Sequence, residues 1–222
     1  MSEIGPGYRE AVAYNDALAA RYDTETAKEG WAAINRRVTD TLMAINPGAV
    51  GSMLDLGAGT GQTIEAVLSV VSPEDIVAVD LSSKMLEKLK SKTFGQAVET
   101  ITGSIESFAG TNTRDFDLMT AIGSMEFVQN LPTQLRLLSS FLKPGGILAF
   151  TYIPRNAGET SSKQFSVPSI GGGFTEYYWP HNDVIDAVMD SGLHIIRAEV
   201  FPAYARGNEQ VVYEFIAAQK IS

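Results

Sequence analysis

The chain has 222 residues, 45% hydrophobic and 19% charged, with no cysteine. That length buries a core without staples, and the lack of cysteine excludes disulfides, thiolate zinc sites and a cysteine nucleophile. A formal net charge of −9 repels nucleic-acid phosphates, and the densest cationic stretch, Lys84, Lys88, Lys90 and Lys92, has the spacing of a solvated helix face, so no nucleic-acid partner is expected.

The first ten residues contain neither a basic leader nor an apolar run, and no stretch approaches the roughly 20 apolar residues of a membrane span. A soluble, cytoplasmic protein with no membrane partner is expected. Tyr8–Ile45 is helical in pattern and holds Tyr14, Tyr22 and Trp31. From Met53 onward, short apolar runs alternate with helical patterns, which predicts an α/β fold with a mostly parallel sheet covered on both faces. Strands are expected at Gly51–Leu56, Asp75–Val79, Ala97–Thr102, Asp117–Ile122 and Gly146–Ile153. Helices are expected at Gln62–Val71, Ser82–Lys92 and Thr133–Leu142, the last stopped by Lys143-Pro144-Gly145-Gly146. Pro154–Tyr178, rich in Ser, Gly and aromatics, reads as a mobile surface segment and a candidate lid. A helix at Asn182–Ser191 and two apolar runs, His194–Phe201 and Gln210–Ala218, follow; the turn Arg206-Gly207-Asn208 joins these runs into an antiparallel hairpin. One domain over residues 1–222 is expected, with an N-terminal helical segment 8–46 and the candidate lid 154–178.

The first strand runs into Leu54-Asp55-Leu56-Gly57-Ala58-Gly59-Thr60-Gly61, and glycine at alternate positions lets the backbone turn tightly beside a ligand at a helix N-terminus. The spacing is GxGxG, not the GxGxxG of nicotinamide dinucleotide sites, which disfavours an oxidoreductase. Asp80 ends the next strand, where a carboxylate can accept both hydroxyl protons of a ribose; capping the helix after it is the alternative. Asp55 either holds the loop's N–H groups or faces an ammonium.

These residues resemble the class I S-adenosylmethionine-dependent methyltransferases of the small-molecule type, over most of the chain from about Tyr22. The resemblance implies a Rossmann-like seven-stranded sheet of order 3-2-1-4-5-7-6 with the last strand antiparallel. It implies S-adenosylmethionine as cofactor, S-adenosylhomocysteine as product, and a small-molecule acceptor with an O, N or C nucleophile. Gly57, Ala58, Gly59 and Gly61 would lie under the methionine and ribose, and Asp80 would bind the ribose hydroxyls. Ser104 stands where relatives often have an acid reading adenine, leaving that base to Ile105, Leu81 and Met85. Ala121 and Gly123 match the position facing the ligand's ammonium, and Tyr22 resembles a tyrosine covering the methionine end.

Candidate bases are His181, which either faces substrate or caps the following helix, and Glu126, after the fourth strand. His194 reads as structural. Phe127, Phe165, Phe174, Tyr177, Tyr178 and Trp179 either wall an apolar acceptor or close over the core. No His/Asp/Glu cluster has metal-site spacing, so no metal is expected. A homodimer is compatible with the sequence. Two other uses of the same pocket stay open: a non-methylating reaction on the bound cofactor, and non-catalytic nucleoside binding.

Overall fold

The computed structural model describes residues 8–45, 50–167, 172–206 and 208–221. Three helices come first: α1 (Arg9–Leu18), α2 (Tyr22–Glu29) and α3 (Trp31–Ile45). The helical pattern is interrupted at Gly30, whose φ of 84° ends α2 in the left-handed conformation. Ile34, Val38 and Leu42 recur at helical spacing and bury one face of α3.

The alternating section contains β1 (Ser52–Leu56), α4 (Gln62–Leu68), β2 (Asp75–Asp80), α5 (Ser83–Lys90), β3 (Val98–Thr102), α6 (Ile105–Ala109), β4 (Phe116–Ala121), α7 (Leu131–Ser140) and β5 (Leu142–Arg155). Two of these helices, α5 and α6, start at side-chain caps: Ser82 accepts from the Met85 N–H at 3.1 Å and Ser104 from the Ser107 N–H at 3.0 Å. The second cap starts α6, which is too short to show a helical period. The remainder is β6 (Ser162–Val167), β7 (Gly172–Pro180), α8 (His181–Asp190), β8 (Leu193–Arg206) and β9 (Glu209–Lys220).

The sheet is Rossmann-like. Parallel pairing gives the order β3-β2-β1-β4-β5, after which β9 adds antiparallel to β5 and β8 adds to β9. Without β6 and β7 this is the expected order, but the sheet has nine strands rather than seven. The reason lies in β5, which is 14 residues long. Its residues Ile147 to Tyr152 pair β9, while Ile153, Pro154 and Arg155 run on and pair β7. The expected irregular segment Pro154–Tyr178 is therefore largely a hairpin of β6 and β7, with Phe165 opposite Phe174. Residues 168–171, at its tip, lie outside the described residues, as does Gly207 of the expected β8–β9 turn.

The expected helix stop Lys143-Pro144-Gly145-Gly146 is also corrected, since Leu142 already pairs with Phe116 and a bulge absorbs Gly145, at φ 77°. Helices bury both faces of the sheet. Leu54, Val77, Met119 and Phe150 pack against α7 and α8, whereas Met53, Ile76, Leu118 and Ala149 pack against α3, α4 and α5. This two-sided burial explains why the central strands read as continuous apolar runs. No described helix is long and apolar enough to cross a membrane.

Candidate active site

The C-terminal ends of β1 and β4 are adjacent in the sheet but lead to opposite sides, so a crevice opens between them. Into it projects the glycine loop, pinned by Gly57 and Ala58, whose N–H groups donate to the Val79 carbonyl at 2.8 and 3.0 Å. Gly57 has φ 71°, and a Cβ there would lie 2.3 Å from the Ser124 Cβ, so only glycine lets the loop approach the segment after β4.

Asp80 sits beside the loop. Its two carboxylate oxygens accept from the Gly59 and Ser82 N–H groups, each at 2.8 Å, so the side chain fixes both the loop and the entry of α5. Ser82, not Asp80, is the helix cap. Burial, followed by the charge of Asp16, pushes the Asp80 carboxyl up to about 6 against these hydrogen bonds. Asp55 is fully enclosed: one oxygen accepts from the Thr120 hydroxyl at 2.7 Å and the other has no hydrogen-bond partner. Burial, with the Asp80 charge, raises it to about 7.

A cavity of about 100 Å³ lies over the loop. Of the expected ligand-binding residues, Tyr22, Gly57, Gly59, Asp80, Leu81, Met85, Ile105 and Gly123 line it. Asp55, Ala58, Gly61, Ser104 and Ala121 are not among its described lining. Gly61 abuts Leu89, Ser104 caps α6, and Ala121 is buried in β4. Tyr8, Asn15, Gly103, Glu106, Ser124, Phe127 and Val128 complete the described wall, and of these sequence reasoning singles out only Phe127, as a candidate for the acceptor's wall. The Tyr8 hydroxyl donates to Glu106 at 2.6 Å, fastening the start of α1 to α6. An acid does follow β3, two residues beyond Ser104, which was a signal the sequence offered.

A second chamber, of about 400 Å³, adjoins the first and shares Asn15, Tyr22, Gly123 and Phe127 with it. Glu126 faces this chamber while being only 2% exposed. The Tyr213 hydroxyl donates to its Oε1 at 2.5 Å, and its Oε2 has no partner. Burial, reinforced by the charge of Glu176, raises the Glu126 carboxyl to about 7. Across the chamber Arg206 holds Glu176 through two bonds of 2.6 and 3.1 Å. Trp31 stacks on Tyr204 at 5.8 Å, and Phe174 packs between Phe165 and Phe127. Trp31 also lies so close to Gly123 that a Cβ there would meet its ring at 2.3 Å.

Phe127, Phe165 and Phe174 thus face the chamber, whereas Tyr177, Tyr178 and Trp179 do not appear in its described lining. His181 lines neither cavity. It is the first residue of α8, after Pro180 at the N-cap position, and its Nδ1 lies 2.8 Å from the buried Glu214, which also accepts from Tyr152. His194 is exposed at the start of β8. No three described His, Asp or Glu residues are grouped to hold a metal.

Comparison with known proteins gives three concordant results. Residues 54–150 match the family model described as a methyltransferase domain. The chain is 33% identical over 100 residues to a malonyl-[acyl-carrier protein] O-methyltransferase of Priestia megaterium, covering 45% of this chain and 36% of that protein. It is 30% identical over 114 residues to a ubiquinone biosynthesis O-methyltransferase of Aromatoleum aromaticum, covering 50% and 48%. The chain therefore spans half or less of these two relatives. Among solved structures, an S-adenosylmethionine-dependent methyltransferase from Clostridium acetobutylicum superposes with a TM-score of 0.64 at 16% identity, over 95% of this chain and 100% of that one, a likeness of fold.

Proposed function

We propose that this chain, whose residues 54–150 carry a methyltransferase domain, binds S-adenosylmethionine over Gly57–Gly61 and methylates a small-molecule nucleophile held in the adjoining chamber. One observation carries the reading: the Asp80 carboxylate, at the end of β2, lines a cavity beside the glycine loop at the sheet's switch point. The donor set fits the cofactor. Asp80 keeps lone pairs for vicinal ribose hydroxyls, and each hydroxyl proton favours the carboxylate that burial disfavours. Leu81, Met85 and Ile105 offer an apolar slot for the adenine. Gly57 and Gly59 leave the backbone open to the methionine side, on which Gly123 also lines the cavity.

When bound, S-adenosylmethionine supplies a methyl group on a sulfonium, whose leaving group needs no acid. The protein's task is alignment and exclusion of water. Tyr22 and Phe127 line both cavities, so they frame the passage through which the methyl group moves. Glu126 is the base: it lines the chamber, and a carboxyl raised toward neutrality is well matched to accept a proton. His181, tied to Glu214, orients the β7–α8 junction instead.

Calorimetry with S-adenosylmethionine and S-adenosylhomocysteine, with NAD as control, tests the assignment. Micromolar binding of the first two, weakened by about 100-fold in Asp80→Ala, is expected. Absent binding, or preference for NAD, removes the reading.

A further inference from the structure

Three carboxylates line the second chamber, and they differ in what neutralises them. Glu176 is engaged by both terminal nitrogens of Arg206. Glu25 pairs with Arg21 at 2.8 Å. Glu126 has no cation within ion-pair distance among the described residues; Tyr213 satisfies one oxygen and nothing satisfies the other. Arg206 is the lone cation among the described lining residues, and it is already spent on Glu176 and on the Tyr204 hydroxyl at 2.8 Å. Glu126 is therefore the least compensated acid of the chamber, and it is buried.

The walls around that point are aromatic. Tyr204 and Tyr213 meet edge to face at 5.8 Å, and Trp31 stacks on the first and meets the edge of the second. Ring faces attract cations, and a buried carboxylate that lacks a partner is costly unless it takes up a proton or a charged donor arrives. A carboxylate acceptor would meet Glu126 with no free cation to receive it, and a neutral hydroxyl would satisfy the free oxygen while leaving the charge uncompensated.

Resting on the cofactor reading above, we infer that the acceptor is an amine bound as its ammonium, with the N–H on the Glu126 Oε2 and the cation against the Trp31–Tyr204–Tyr213 rings. Glu126 takes the ammonium proton. The nitrogen lone pair then forms the N–CH₃ bond as the S–CH₃ bond of the sulfonium breaks, and S-adenosylhomocysteine leaves as a neutral thioether. The positive charge passes to the methylated nitrogen.

Binding tests this without requiring the native acceptor. With the first cavity filled by S-adenosylhomocysteine, benzylamine, benzyl alcohol and phenylacetate are titrated while Trp fluorescence is followed. Benzylamine should bind at least about tenfold more tightly than either analogue, a preference that Glu126→Gln abolishes while S-adenosylhomocysteine affinity stays unchanged as the check on folding. Equal or tighter binding of phenylacetate, a preference that survives in Glu126→Gln, or no binding of any of the three up to about 10 mM overturns the inference. Failure of S-adenosylhomocysteine itself to bind defeats the cofactor reading instead, so the two failures are distinguishable.

Discussion

Glu126 unites two properties that seldom coexist on a carboxylate: near-complete burial and an oxygen left without a donor. Burial first, and Glu176 second, raise it to about 7. A base works only when ionised, so kcat/KM should climb as pH rises through about 7 and level off above it. Glu126→Gln should lower the plateau by about 10²–10⁴-fold and erase the climb; a variant profile that keeps the rise would remove Glu126 from the proton path. The sequence exposed this residue through its place after the fourth strand, and exposed Asp55, Gly57 and Asp80 through local spacing. It did not expose Arg206 on Glu176, or Glu214 beneath His181, because those partners are 30 and 33 residues apart and meet only when strands align. His181 looked like a base for the same reason, its anchor being invisible in one dimension.

Among the elements, α1 and α2 are held over the first cavity by polar fastenings rather than by a continuous apolar seam. Tyr8 reaches Glu106, Asp16 accepts from Ser82 at 2.5 Å, and Asp23 gathers Thr60, Gln62 at 2.9 Å and Lys92 at 3.2 Å. Asp23 stays below the usual carboxylate range because these partners outweigh the burial that opposes its charge. Few fastenings and little buried apolar area imply low local stability. Amides of α1 and α2 should exchange faster than those of β1 and β4, and S-adenosylhomocysteine should slow them. Removing one fastening in Tyr8→Phe should weaken that ligand by about 3- to 10-fold with a small change in Tm, whereas an unchanged affinity would detach α1 from the site. The helical pattern of Tyr8–Ile45 was legible, but the breaks and the docking were not, since they depend on contacts across the chain. The β6–β7 hairpin was hidden by its glycines and by the missing period of a segment whose partner strand lies on the far half of β5.

For the molecule as a whole, three enclosed acids bias the balance of protons between folded and unfolded chains. Asp55 rises to about 7, Asp80 to about 6 and Glu126 to about 7, each from an ordinary value near 4 and each chiefly through burial. Between those limits the folded chain binds more protons than the unfolded one, so these groups contribute stability at low pH that is lost as pH rises toward 7. Urea unfolding of the ligand-free protein at about pH 5.5 and 7.5 should show the fall, with Asp55→Asn flattening part of it; a stability that rises across the window would contradict the burial of these groups. The sheet order was readable because βα alternation leaves few arrangements, and only the added strands escaped.

Those added strands have a wider consequence. The long β5 is a spine with two tenants: its inner half belongs to the sheet that carries the glycine loop, and its outer end anchors the hairpin bearing Phe165, Phe174 and Glu176. Residues of the hairpin wall the second chamber, but none of its described residues lines the first. The architecture is thus modular, a constant socket joined to an exchangeable faceplate, and drift in one stretch of about 20 residues can retune what enters without disturbing the machinery behind it.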